Sequence, residues 1–173
     1  MDKGYIHLYT GDGKGKTTAA LGLALRAAGH GKRVFIGQFM KGQYYGELTS
    51  LKFVPGIDIE QFGDEGCIRK EEVTSLHREH ARNGLKRICQ VMESGEYQIV
   101  IMDEISVTIW FELVTTNDVL KVIKKKPFDT ELILTGRRAP KEFFDAADLV
   151  TEMKEIKHYY NIHGILARDG IER

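Results

Sequence analysis

The chain has 173 residues, enough for one domain with a buried core and too few for two of ordinary size. Its 25 Lys and Arg balance its 25 Asp and Glu, so overall charge gives no case for nucleic acid or an anionic membrane as partner. With no secretory or transmembrane segment, no C-x-x-C pairing of Cys67 and Cys89, and no low-complexity tract or repeat, one cytoplasmic domain spanning 1–173 with reduced thiols is expected.

Tyr5–Thr10 reads as a short strand, and it runs straight into Gly11-Asp12-Gly13-Lys14-Gly15-Lys16-Thr17-Thr18. Glycines at 11, 13 and 15 let backbone amides crowd around an anion. Lys16 supplies a mobile ammonium, Thr17 a hydroxyl for Mg²⁺, and the following helix turns its positive end toward the phosphates. The usual spacing is G-x-x-x-x-G-K-[ST]. Counting back from Gly15-Lys16-Thr17 puts the first glycine at 10, where Thr10 stands; the glycine is at 11. The loop is one residue short or lacks its first glycine.

Lys16–Ala28 reads as a helix, with Leu21 and Leu25 on one face and Ala20 and Ala24 allowing close packing. Arg33–Phe39 is a nearly continuous apolar strand, as a sheet covered on both faces requires. Met40–Glu47 reads as a loop, Ile57–Phe62 as an alternating strand, and Lys70–Ser94 as one long helix. Gln98–Met102 is an apolar strand that delivers Asp103-Glu104 at its tip. Asn117 is expected to cap a helix to Lys126, which Pro127 stops. Leu132–Thr135 is a strand, Pro140–Ala147 a short helix, and Leu149–Met153 a last strand; the segment from Lys157 has no clear assignment.

Strands alternating with helices imply a three-layer α/β/α fold with a mostly parallel central sheet. Ligands of such sheets bind outside the carboxyl ends of the strands. That rule gathers the Gly11–Thr17 loop, Met40–Glu47, Asp103-Glu104 and Gly136-Arg137-Arg138 on one rim. Asp103 or Glu104 is expected to hold Mg²⁺ beside Thr17, and the residues leave the choice open. Arg137, and after it Arg138, are the candidates to clamp a phosphate or a substrate carboxylate with a planar fork. The histidines at 7, 30, 77, 80 and 163 show no metal-ligand spacing, and no protein nucleophile is evident. The residues alone therefore allow a transferase that uses a triphosphate on a small molecule, or a triphosphate-dependent switch.

At these positions the chain resembles the ATP:corrinoid adenosyltransferase family, on the RecA-like phosphate-loop NTPase fold. The family shares the shortened loop with glycine where Gly11 stands. Other matches are Lys41-Gly42 with Gly46-Glu47, Asp103-Glu104, Thr135-Gly136-Arg137, and the closing stretch Glu155-Ile156-Lys157-His158, Asn161 and 164–172. The resemblance implies that reduced cobalt of a corrinoid attacks C5′ of ATP and expels triphosphate. The nucleotide would bind to Gly11, Asp12, Gly13, Lys14, Gly15, Lys16, Thr17, Thr18 and Arg137, with Lys16 the catalytic cation and Mg²⁺ held by Thr17, Asp103 and Glu104. It also implies a homodimer and a flavoprotein reductant. Relatives carry a Gly-Phe-x-Trp segment after the third strand, whose aromatics displace the lower cobalt ligand; here Gly63-Asp64-Glu65-Gly66-Cys67-Ile68 has neither ring. Tyr44, Tyr45 or Trp110, with Glu47, are the candidates for the corrinoid side. The chain begins almost at its first strand, so the N-terminal lid of some relatives is not expected. Two other readings remain: a small phosphate-loop kinase and an ATP-gated corrinoid-binding regulatory module.

Overall fold

A computed structural model describes residues 3–66 and 68–173; Cys67 lies outside the described residues. Six strands form one sheet: β1 (Ile6–Thr10), β2 (Val34–Phe39), β3 (Ile57–Phe62), β4 (Ile99–Asp103), β5 (Glu131–Thr135) and β6 (Leu149–Glu152). Their order is β3-β2-β4-β5-β1-β6, and every pairing is parallel. The expected mostly parallel sheet is thus wholly parallel.

The strands read as unbroken apolar runs because both faces are covered. Val34, Ile36, Ile99, Ile101 and Ile133 meet the buried Ala20, Ala24 and Ala27 of helix α1 (Lys16–Ala28) on one face. Their sequence neighbours Phe35, Val100, Met102, Leu132 and Leu134 point the other way, toward α3 (Ser75–Ser94), α5 (Thr116–Lys124) and α6 (Lys141–Ala146). On α1 the alanine stripe packs and Leu25 stays 47% exposed, so Leu25 is not the core residue its spacing suggested.

Local chemistry accounts for the other differences. The segment expected as one helix from Lys70 is a 3-10 turn (Lys70–Glu72) followed by α3, which starts afresh where Thr74 accepts the His77 amide. Helix α5 is capped by Thr115 rather than Asn117, since the Thr115 hydroxyl accepts from the Asp118 amide and its carboxylate returns the bond. Two short helices were not anticipated: α2 (Glu47–Ser50), which starts at the last residue of the stretch read as loop, and α4 (Ile105–Trp110), directly after the carboxylate pair. The segment left unassigned contains α7 (Tyr159–His163). No helix of the described residues is long and apolar enough to cross a membrane.

Candidate active site

The phosphate loop joins β1 to α1. It is stacked backbone to backbone on the exit of β6, with the Gly13 amide donating to the Met153 carbonyl at 2.7 Å. A Cβ on Gly11 would lie 2.4 Å from the Met153 oxygen, and one on Gly13 only 2.7 Å from it. These glycines are therefore needed for the close contact with the exit of β6. Gly11 also sits at φ +96°, which side chains rarely adopt. Gly11→Ala should lower stability on the order of 2–3 kcal/mol, through strain and clash together. Thermal melting should show a midpoint lower by about 5–10 °C; an unchanged melt would mean that the loop does not rest on β6.

Lys16 folds back over the loop: its ammonium donates to the Gly11 and Gly13 carbonyls, each at 2.6 Å. The group is buried, and burial followed by the Arg137 charge pushes its pKa below the ordinary lysine value. The loop is thus preformed around its own cation, which a phosphate can take over.

Asp103 ends β4 and is 1% exposed. Its Oδ1 accepts from the Thr17 hydroxyl at 2.8 Å and the Thr135 hydroxyl at 2.7 Å. Its Oδ2 accepts from the Lys41 ammonium at 2.9 Å and from Gln38 at 3.3 Å. Strand β5 lies between β1 and β4, which is why Thr135 can reach across. Glu47 of α2 joins the network through Gln38 at 3.0 Å and Lys41 at 3.5 Å. Of these partners, Gln38 left a signal in the sequence: a lone amide in an otherwise apolar strand.

Glu104 occupies the left-handed region at φ +60°, held by its amide donating to the Thr135 hydroxyl at 2.9 Å. Met40 and Arg138, which follow β2 and β5, share that conformation at φ +60° and +56°. Backbone strain of this kind costs on the order of 1–3 kcal/mol per residue and concentrates at functional sites. Three strand exits on one rim carry it here.

Burial, with the Asp103 charge adding to it, pushes the Glu104 pKa up. A carboxyl raised above its unfolded value penalises the fold as pH climbs from the ordinary carboxylate range through the folded pKa. Glu104→Gln should therefore raise the melting temperature of the ligand-free protein at pH 7, and the gain should disappear near pH 4. A variant less stable than the parent at pH 7 would contradict this sign.

One cleft of about 1210 Å³ is lined by Asp12–Thr18, Lys41, Tyr45–Glu47, Glu104, Arg137 and residues of the segment 155–173. The four segments expected on one rim therefore do converge. Two candidates are not part of the lining: Tyr44 is 67% exposed and bonds Thr49, and Trp110 sits one layer back, stacked at 4.4 Å on the cleft residue Arg138 with Lys70 on it at 5.4 Å. Of the expected tyrosines it is Tyr45 that lines the cleft, beneath the Lys41 ammonium at 4.7 Å, and Tyr159 and Tyr160 line it as well. His77 and His80 pair with Asp64, and His77 also closes the α3 cap.

A parallel sheet with a glycine-rich loop opening α1, a lysine and threonine in that loop, and a buried aspartate facing them define a nucleotide-binding phosphate-loop protein. The fold is similar to that of the flagellar accessory protein FlaH from Methanocaldococcus jannaschii, with a TM-score of 0.60, 14% identity, and 88% of this chain and 72% of that one covered. The chain belongs to the ATP:corrinoid adenosyltransferase BtuR/CobO/CobP family, whose pattern matches residues 2–173. It is 33% identical to a corrinoid adenosyltransferase of Sinorhizobium sp., over 99% of this chain and 81% of that protein. It is 29% identical to the corrinoid adenosyltransferase of Escherichia coli, over 99% of this chain and 86% of the relative. A Nostoc sp. protein of uncharacterized function is 36% identical over 90% of this chain, which spans only 45% of that protein's length.

Proposed function

We propose that the protein transfers the 5′-deoxyadenosyl group of ATP to the Co(I) centre of a corrinoid and releases triphosphate. The observation that carries this reading is the family match from residue 2 to 173, joined to a cleft of about 1210 Å³ that extends from the phosphate loop to the segment 155–173.

The reacting electrons come from the substrate. The cobalt lone pair attacks C5′, the C5′–O5′ bond breaks, and its electron pair leaves on the triphosphate; no proton has to move. The protein's part is to hold both partners and to take up charge on the leaving group. Lys16, released from the Gly11 and Gly13 carbonyls, the amides of the loop and Arg137 are the groups in reach.

Mg²⁺ fits the donors present: Thr17 and Asp103 offer hard oxygens 2.8 Å apart, with the Glu104 carboxylate on the same rim. Among the described residues no group of three His, Cys, Asp or Glu could cage a metal, which suits an ion that keeps water and phosphate ligands. When bound, Mg²⁺ would supply neutralisation of the triphosphate's charge. With Tyr44 and Trp110 outside the lining, Tyr45 and Glu47 are assigned to the corrinoid side. A homodimer, a flavoprotein electron donor and a cytoplasmic location complete the proposal, on the strength of the family resemblance.

The test is incubation with ATP, Mg²⁺ and chemically reduced cobalamin, following the corrinoid spectrum and the nucleotide product. Alkylcobalt absorbance with intact triphosphate supports the transfer. ADP would identify a kinase, and binding of both ligands without turnover a regulatory module.

A further inference from the structure

The segment 159–173 is clasped to the phosphate loop through Lys14, whose ammonium reaches the Glu172 carboxylate, the Ile171 carbonyl at 3.0 Å and, at 3.5 Å, the Tyr159 hydroxyl. Glu172 accepts from the Lys14 ammonium at 2.7 Å, from the Tyr159 hydroxyl, and from the Arg168 guanidinium at 3.3 Å, while its second oxygen takes the Arg168 amide at 2.9 Å. The same segment contributes Ile165, Leu166 and Ala167 to the wall of the cleft that Tyr45 also lines. Once the loop is filled by a triphosphate, the space bounded by this wall is what remains for the second substrate.

Lys14 lies between two glycines of the phosphate loop, yet its side chain points away from the loop and into this knot. The Lys14 side chain is 41% exposed and that of Glu172 17%. Such a pair is screened by solvent and exchanges readily. A triphosphate carries several charges against one on Glu172. If Lys14 leaves, Arg168 and Tyr159 still satisfy the carboxylate, so the exchange strands no ion. The knot's donors also hold the Glu172 pKa far below the usual carboxylate range, with Arg168 the largest influence and Lys14 next. The carboxylate is thus charged, and competes for Lys14, throughout the physiological range.

We propose that Glu172 is a positioning residue that holds Lys14 off the phosphate loop, and that bound triphosphate takes Lys14 from it. Nucleotide occupancy thereby sets the wall of the corrinoid compartment. The inference rests on the cleft being shared by ATP and a corrinoid, but its test needs no corrinoid turnover.

Titration of the full chain with inorganic triphosphate and with Mg²⁺–ATP, by calorimetry, should show Glu172→Gln binding both about threefold more tightly, the scale set by one exposed ion pair. Glu172→Asp should fall back toward the parent. Asp169→Asn, at a tail carboxylate that pairs with Arg173 at 2.7 Å, should leave affinity unchanged. Amide hydrogen exchange across 164–173 in the parent should accelerate on adding Mg²⁺–ATP. Equal or weaker triphosphate binding by Glu172→Gln, or exchange in the tail that stays constant or slows with nucleotide, overturns the proposal. Loss of adenosyl transfer in the parent, with these binding results intact, would instead count against the reaction assigned above.

Discussion

Lys16→Ala should lose roughly 10²–10³-fold in kcat, the range seen when one group that meets developing charge is removed. The geometry says why the loss falls on turnover more than on the fold. Both partners of this ammonium are loop carbonyls, and those can turn to water once it is gone. Steady-state rates with reduced cobalamin, beside a thermal melt, check the claim. Near-normal kcat would place the triphosphate elsewhere.

Asp103→Asn should be costly in two separable ways. Asp103 is 1% exposed and its Lys41 partner 11%, so the substitution leaves a largely buried ammonium with Glu47, at 3.5 Å, as its remaining carboxylate. Removing one member of a buried pair typically costs about 3–5 kcal/mol. For a chain of this length that corresponds to a melting temperature lower by roughly 6–15 °C. Activity should fall as well, because the Thr17 hydroxyl loses the charged oxygen it shares with the proposed Mg²⁺ site. Asp103→Asn combined with Lys41→Met removes the stranded charge; it should recover most of the stability and none of the activity. Recovery of both would mean that Asp103 serves only to neutralise Lys41.

What could be read from residues alone follows from which interactions are local. The phosphate loop, the α1 boundaries and the apolar strands β2, β4 and β5 are encoded in short stretches, and they emerged nearly as expected. The rim could be inferred because parallel strands share one polarity. The β6 contact could not: Gly11 and Gly13 look alike whether they face an anion or the Met153 carbonyl. Helix α4 was hidden because Ile105, Val107, Thr108 and Ile109 are β-branched and suit strands, while tertiary packing of Ile105 decides otherwise. The split before α3 turned on Thr74 reaching the His77 amide. Nothing in local spacing indicated that Lys41 would find Asp103 sixty-two residues on, or that Glu172 would find Lys14. For the same reason Tyr44 and Tyr45, adjacent in sequence, could not be told apart until one was seen to face the cleft.

The most direct measurement is a crystal structure with Mg²⁺ and ATP. It should show the triphosphate on the amides of Gly11–Thr18, the Lys16 ammonium moved from the two carbonyls to phosphate oxygens, and the ribose C5′ directed into the open cleft beside Tyr45. An empty loop, or a nucleotide that presents its γ-phosphorus to the cleft with C5′ turned away, would contradict adenosyl transfer at this site.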